Sequence, residues 1–211
     1  MQNTPAFEFF YDCSSPWTYL AFTRVIPLME RLGVSIQWKP ILVGGVFNAV
    51  NQHIYAARES MFGNEQRLAH YFKDMKDWSD LCSIVIGQPD VFPVNSVKAM
   101  RGAFFAGEQG MIVAYSRAVF EAYWRDNRDI SQPDVLSDIC QSVGLDAEDL
   151  LAATAAQSYK DALRTNTEEL VARGGYGSPT MFINGNDMYF GNDRLPLVER
   201  RLTQLMTGNN D

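Results

Sequence analysis

Phe7-Glu8-Phe9-Phe10-Tyr11-Asp12-Cys13-Ser14-Ser15-Pro16-Trp17-Thr18-Tyr19-Leu20-Ala21 changes character halfway along. An aromatic run with strand propensity gives way to small polar residues. Pro16 then stands at the position proline favours, the first residue of a helix. A helix over 16–32 follows, with Pro27 as a kink and Gly33 as its stop. Residues 34–39 alternate and read as a second strand. Pro40 to Gly45 reads as a turn leading the chain away.

The middle of the chain, roughly 46–170, is helical in pattern. Segments 68–81, 97–108, 111–124, 133–144 and 161–173 carry apolar residues at helical spacing, and Asp146 with Asp149 resembles a capping box. Strand character returns at Pro179 to Ile183. Asn184-Gly185 is a hairpin turn, Asp187 to Phe190 is the returning strand, and 195–206 is a closing helix. The order is β-α-β, a helical block, then β-β-α. Two-stranded pieces are barely stable alone, so both flanks must meet in one sheet. The predicted fold is α/β, a thioredoxin-like fold with a large all-helical insertion. Residues 1–45 and 171–211 form the discontinuous sheet domain, and 46–170 form the insertion.

A thioredoxin-type site carries a reactive group at a helix N-terminus, where negative charge is favoured. The four-residue slot that reads Cys-x-x-Cys in an oxidoreductase reads Ser15-Pro16-Trp17-Thr18 here. The setting for a stabilised thiolate is present without the thiol, which points to a sulfur carried by a cofactor.

The bulk numbers bound the class. The 211 residues are 46% hydrophobic and 20% charged, an ordinary globular balance. A net charge of −7 argues against nucleic acid or an anionic membrane as partner. Three scattered cysteines, Cys13, Cys82 and Cys140, make no disulfide framework and suit a reducing cytosol. No signal peptide or membrane-spanning stretch is visible, so a cytoplasmic protein is expected. His53 and His70 show no metal-ligand spacing.

Four stretches together carry a family resemblance: Phe10-Tyr11-Asp12 with Ser15-Pro16; Pro40-Ile41-Leu42-Val43-Gly44-Gly45-Val46-Phe47; Phe92-Pro93-Val94-Asn95-Ser96 with Ala99-Met100-Arg101; and Gly177-Ser178-Pro179-Thr180 with Phe190-Gly191-Asn192-Asp193-Arg194-Leu195. In this order the chain resembles the 2-hydroxychromene-2-carboxylate isomerases and kappa-class glutathione transferases, in the DsbA-like branch of thioredoxin folds. The resemblance implies a glutathione cofactor, a small hydrophobic or aromatic substrate and often a homodimer. It implies that Ser15 contacts the glutathione sulfur and that Ser178, before a cis Pro179, pairs through its backbone with the cysteinyl part. It also implies that Asn192 and Asp193 hold the γ-glutamyl end. An asparagine after the Gly-Gly-Val-Phe turn commonly joins such a site. Asn51 or Gln52 stands nearest, with Gln52 the one carried forward as a ligand, and Arg58 and Arg67 are the nearest cations.

The chemistry fits those residue types. A free thiol has a pKa of about 8.5, and lowering it by about two units takes ~2.7 kcal/mol of preferential thiolate stabilisation. A serine hydroxyl can donate to sulfur yet forms no disulfide, and the helix N-terminus supplies more. Thiolate addition to a conjugated carbon, rotation about the new single bond and elimination make an isomerase; retention of the addition product makes a transferase. A thiol–disulfide oxidoreductase is disfavoured by Ser15 and Thr18, and a non-catalytic ligand-binding protein is the remaining alternative. Alone, Ser15-Pro16 is also an ordinary helix start and Asn192-Asp193 an ordinary cap. Cys13 reads as a small strand-end residue with a lesser chance of a redox role. The aromatics at 104, 105, 120, 123 and 124 read as mostly core, some of them lining a substrate pocket.

Overall fold

The computed structural model describes residues 4–208, without the side chains of 55, 58, 61 and 62. Its sheet has four strands in the order β2-β1-β3-β4. β1 (Phe7–Tyr11) is central, pairing parallel with β2 (Ile36–Pro40) and antiparallel with β3 (Thr180–Ile183). A strand covered on both faces has no need to alternate apolar with polar, which is why β1 is aromatic almost throughout. Successive side chains still point to opposite faces. Phe7, Phe9 and Tyr11 enter the larger core, whereas Phe10 packs with Ile41, Val46, Leu170 and Phe182 on the other side. On that second face Glu8 is buried against Arg173, whose guanidinium also lies 3.9 Å from the Phe182 ring centroid.

α1 (Pro16–Leu32) links β1 to β2. Gly33 ends it in the left-handed region, φ 66°, with Val34 N–H returning to Met29 O. The helix continues through Pro27, expected as a kink, to Leu32. β3 and β4 (Asp187–Phe190) form the predicted hairpin, with Asn184 and Gly185 both at positive φ, 51° and 82°. That pair of conformations matches strand twist and favours Asn-Gly. α10 (Leu195–Thr207) closes the chain.

Between β2 and β3 the described secondary structure is helical: α2 (Val43–Val50), α3 (His53–Phe62), α4 (Glu65–Cys82), α5 (Val97–Glu108), α6 (Ile112–Phe120), α7 (Pro133–Ser142), α8 (Ala147–Ala155) and α9 (Gln157–Ala172). Asp146 caps α8 through Asp149 N–H. Two segments differ from the sequence expectation. The Pro40–Gly45 turn is partly helix: Gly44 and Gly45 sit in the first turn of α2. Remote groups take its leading amides, Thr167 Oγ1 that of Leu42 and Asp12 Oδ2 that of Val43. A Cβ on Gly45 would lie 3.3 Å from Thr167 Cγ2, so glycine lets α2 settle on α9. The helix expected over 111–124 ends at Phe120, and a wider π-type turn, Glu121–Arg125, follows. Trp124 leaves that turn to donate its indole N–H to Cys13 O at 2.9 Å, tying it to the β1–α1 loop.

Gly102 shows how tightly the helical block is packed. A Cβ there would run into the Tyr115 phenol, whose hydroxyl donates to Ala99 O. In an open helix, Gly→Ala gains about 0.8–1 kcal/mol. Here overpacking reverses the sign, and Gly102→Ala lowers unfolding free energy by about 1–3 kcal/mol in a urea titration. A stabilised variant would contradict this packing.

Candidate active site

The β1–α1 loop and the entry to β3 meet at Ser15 and Ser178. Ser15 caps α1, its Oγ accepting Thr18 N–H at 3.3 Å. The same hydroxyl donates to Ser178 O at 3.4 Å, linking the start of α1 to the entry of β3. The Ser178–Pro179 bond is cis, as is Phe92–Pro93. Gly177 precedes this bond under the Phe190 ring, where a Cβ would approach Cε2 to 2.8 Å. No hydrogen bond among the described residues engages the Ser178 N–H. Ser15 is thus both an ordinary helix cap and a neighbour of a backbone donor without a partner among the described residues.

Thr18 and Asp12 set that geometry. Thr18 Oγ1 and Ser178 Oγ share a 2.8 Å hydrogen bond, and Asp12 N–H donates to the same Ser178 Oγ at 3.1 Å. Thr18, in the second-cysteine slot, is therefore a buried tie between helix and strand. Asp12 is fully buried. Its carboxylate accepts Ser14 N–H at 2.9 Å, Val43 N–H at 2.8 Å and Ser96 O–H at 3.0 Å. Burial raises its carboxyl above the ordinary value of 3.8, the three donors opposing that shift. One carboxylate thereby binds the active loop to the starts of α2 and α5. The sequence carried a signal for this: an acid at the end of a mostly aromatic strand must be satisfied if the strand is buried.

The remaining predicted residues occupy two places. Asn192 is buried, its backbone and side-chain oxygens both accepting from Arg24 Nη1 at 2.9 Å. Arg24, unassigned from sequence, lies over the Trp78 ring at 4.5 Å. Asp193 is exposed and pairs with Arg194. Gly191, φ 103°, makes room for it, since a Cβ would stand 2.7 Å from Asp193 Oδ1. Of the two amides after the Gly-Gly-Val-Phe segment, Asn51 donates to Tyr176 O at 3.1 Å, reaching the loop that carries Ser178. Gln52 instead donates to Asn48 O at 2.9 Å, one turn back. The Arg58 side chain lies outside the described residues, and Arg67 is exposed on α4.

Cys13 is buried, its N–H on Met100 Sδ at 3.4 Å, and burial pushes its thiol well up. A low-pKa redox residue is the opposite of this. Phe120, Tyr123 and Trp124 are buried in the core, and Phe104 and Phe105 pack half-buried against it. Trp17, two residues past Ser15, packs edge-on to Tyr71 at 5.9 Å, and Tyr71 packs in turn against the exposed Phe72. Among the described residues no cluster could hold a metal ion, and no helix is long and apolar enough to cross a membrane.

The fold is of the thioredoxin type, and its first helix opens on Ser15-Pro16-Trp17-Thr18, without a cysteine. The DSBA-like thioredoxin domain family matches residues 6–203, and the chain belongs to that family. A Pseudomonas putida protein named 2-hydroxychromene-2-carboxylate isomerase is 28% identical over 209 residues, 97% of each chain. Human glutathione S-transferase kappa 1 is 24% identical, the match spanning 95% of this chain and 92% of the human one. A solved 2-hydroxychromene-2-carboxylate isomerase structure superposes with a TM-score of 0.81 at 24% identity, covering 97% of both chains. These relatives are enzymes by name.

Proposed function

We propose that this chain is a glutathione-dependent isomerase of the 2-hydroxychromene-2-carboxylate type. The observation that carries the proposal is the Ser15 hydroxyl, held at a helix N-terminus against Ser178 and beside a free Ser178 N–H. Such an edge suits an extended tripeptide, which needs a backbone donor and acceptor side by side. When bound, glutathione supplies the thiolate that adds reversibly to the conjugated substrate.

Everything else falls to the chain's own groups. Ser15 releases its weak 3.4 Å bond to Ser178 O and turns its proton toward the sulfur. The α1 N-terminus favours the anion. Ser178, ahead of Pro179, pairs with the cysteinyl backbone, and Asp193 takes the ligand's ammonium. Asn192, fixed by Arg24, offers its amide to the carboxylate at that end. In the place the sequence left to Asn51 or Gln52 we assign Asn51, because it alone of the two reaches the Ser178 loop. Trp17, Tyr71 and Phe72 form an apolar platform for the aromatic substrate. Glutathione belongs to the sheet half, 1–45 with 171–211, and the second substrate to the side facing the helical block, 46–170. A reducing cytoplasm and a homodimer complete the reading.

An oxidoreductase reading fails on this chain's chemistry, since Ser15 and Thr18 carry no thiol and Cys13 is buried with a raised pKa. Kappa-type transfer uses the same sulfur site and is separated by products: a chromene-carboxylate panel turned over without glutathione consumption marks the isomerase. The binding test is calorimetry. Wild type binds glutathione with one site per chain, and Asp193→Ala weakens it about tenfold, the loss of one charged hydrogen bond. An absence of heat at saturating glutathione would end the cofactor assignment.

A further inference from the structure

A cavity of about 520 Å³ lies between α2, α5 and α9, large enough for a small organic molecule. Leu42, Val97 and Leu163 make its walls mostly apolar. Into this lining the chain, with a net charge of −7, brings three cations, Arg101, Lys160 and Arg164, against one carboxylate, Glu168. Their states differ. Arg164 is paired with Asp161 at 2.9 Å. Arg101 spends one Nη1 bond on Thr154 O at 3.1 Å, but its Nε is buried and no group among the described residues accepts from it. Lys160 makes no ion pair among the described residues. Three cations against one carboxylate in an otherwise apolar lining, one of them without an ion pair among the described residues, suit a bound anion.

We propose that this cavity binds a small amphipathic carboxylate, its apolar body between Leu42, Val97 and Leu163 and its carboxylate on the Lys160 ammonium and the Arg101 guanidinium. Apolar walls with a few convergent polar groups are the usual make-up of a small-molecule site. Ser15, Ser178, Asn192 and Asp193 are not among its lining, so the site is separate from the candidate active site and does not depend on the glutathione reading. It is nevertheless close to it along the chain. Leu42 precedes Val43 and Val97 follows Ser96, the two residues whose N–H and O–H hold the Asp12 carboxylate.

The test is a calorimetric titration of the full chain with 2-naphthoate, alone and with saturating glutathione, beside the uncharged probe 2-acetylnaphthalene. One naphthoate site of equal affinity in both conditions is expected, with no measurable binding of the ketone. Lys160→Met weakens naphthoate about tenfold, the scale of one lost charged hydrogen bond. Ala49→Leu, at the exposed rim, fills the mouth and removes binding. Both positions lie at the solvent edge, so unchanged thermal midpoints report intact folds. Four outcomes each overturn the proposal: no naphthoate binding to folded wild type, displacement by glutathione, equal binding of the ketone, or unaltered affinity in either variant.

Discussion

Under the proposed function, Ser15→Ala lowers turnover of a chromene carboxylate by about ten- to a hundredfold, the rate equivalent of the ~1.5–3 kcal/mol that a hydrogen bond to a charged group contributes. The thiolate loses its side-chain donor but keeps the field of α1, so part of the activity survives. The acidic limb of the pH profile moves up toward the free-thiol value of about 8.5. Glutathione affinity changes little below that limb, because in the proposed complex Ser178, Asn192 and Asp193 hold the peptide independently of Ser15. The variant also loses its helix cap, the Oγ bond to Thr18 N–H, at a cost of about 1 kcal/mol of stability. Ultraviolet absorbance of the bound thiolate separates the two effects. If it titrates in the variant as in wild type, Ser15 is only a cap.

Asp12→Ala is the most destabilising substitution expected at the site. It orphans the Ser14 and Val43 amides and the Ser96 hydroxyl, at about 1–3 kcal/mol for each donor left buried. A total of about 3–5 kcal/mol lies at the upper end for a single change, readable as a shifted urea midpoint. Asp12→Asn keeps the size but turns an amide N–H toward Val43 N–H, so it also destabilises, by less. The two isosteres differ in their pH dependence, and the sign follows from burial. Burial raises the folded pKa above the ordinary value of 3.8, so the native state binds more protons than the unfolded chain between those two values. The contribution of Asp12 to stability is therefore complete below 3.8 and is lost as pH rises through the folded pKa. The wild-type stability curve minus that of Asp12→Asn must fall across that interval. A difference that rises would mean an unburied or ion-paired carboxylate.

The parts of the molecule legible in the sequence are those set by neighbours along the chain. Pro16 and Gly33 bracket α1, and Asn184-Gly185 closes its hairpin, because each acts through local backbone preference. The approach of Ser15 to Ser178 was legible for the same reason: two prolines mark the two ends that the sheet must join. Distant partners set what was not. Gly44-Gly45 reads as a turn until Asp12 and Thr167 are there to take the amides of α2. The break after Phe120 goes with a tryptophan reaching Cys13. Asn51 and Gln52 are adjacent amides that sequence cannot rank, and only the position of Tyr176 distinguishes them. Asp12 and Arg24 lay inside predicted elements, and their importance comes from donors and acceptors far along the chain.

The burial of the chain's thiols has a consequence for its chemical durability. Cys13 lies under the loop and Cys140, its pKa pushed up to about 11, donates to Asp146 O; Cys82 is half-buried and also raised. Exchange with a disulfide requires a thiolate on the attacking side, and these groups present almost none at neutral pH. Under the proposed function, the protein can therefore work amid oxidised glutathione without being capped by S-glutathionylation.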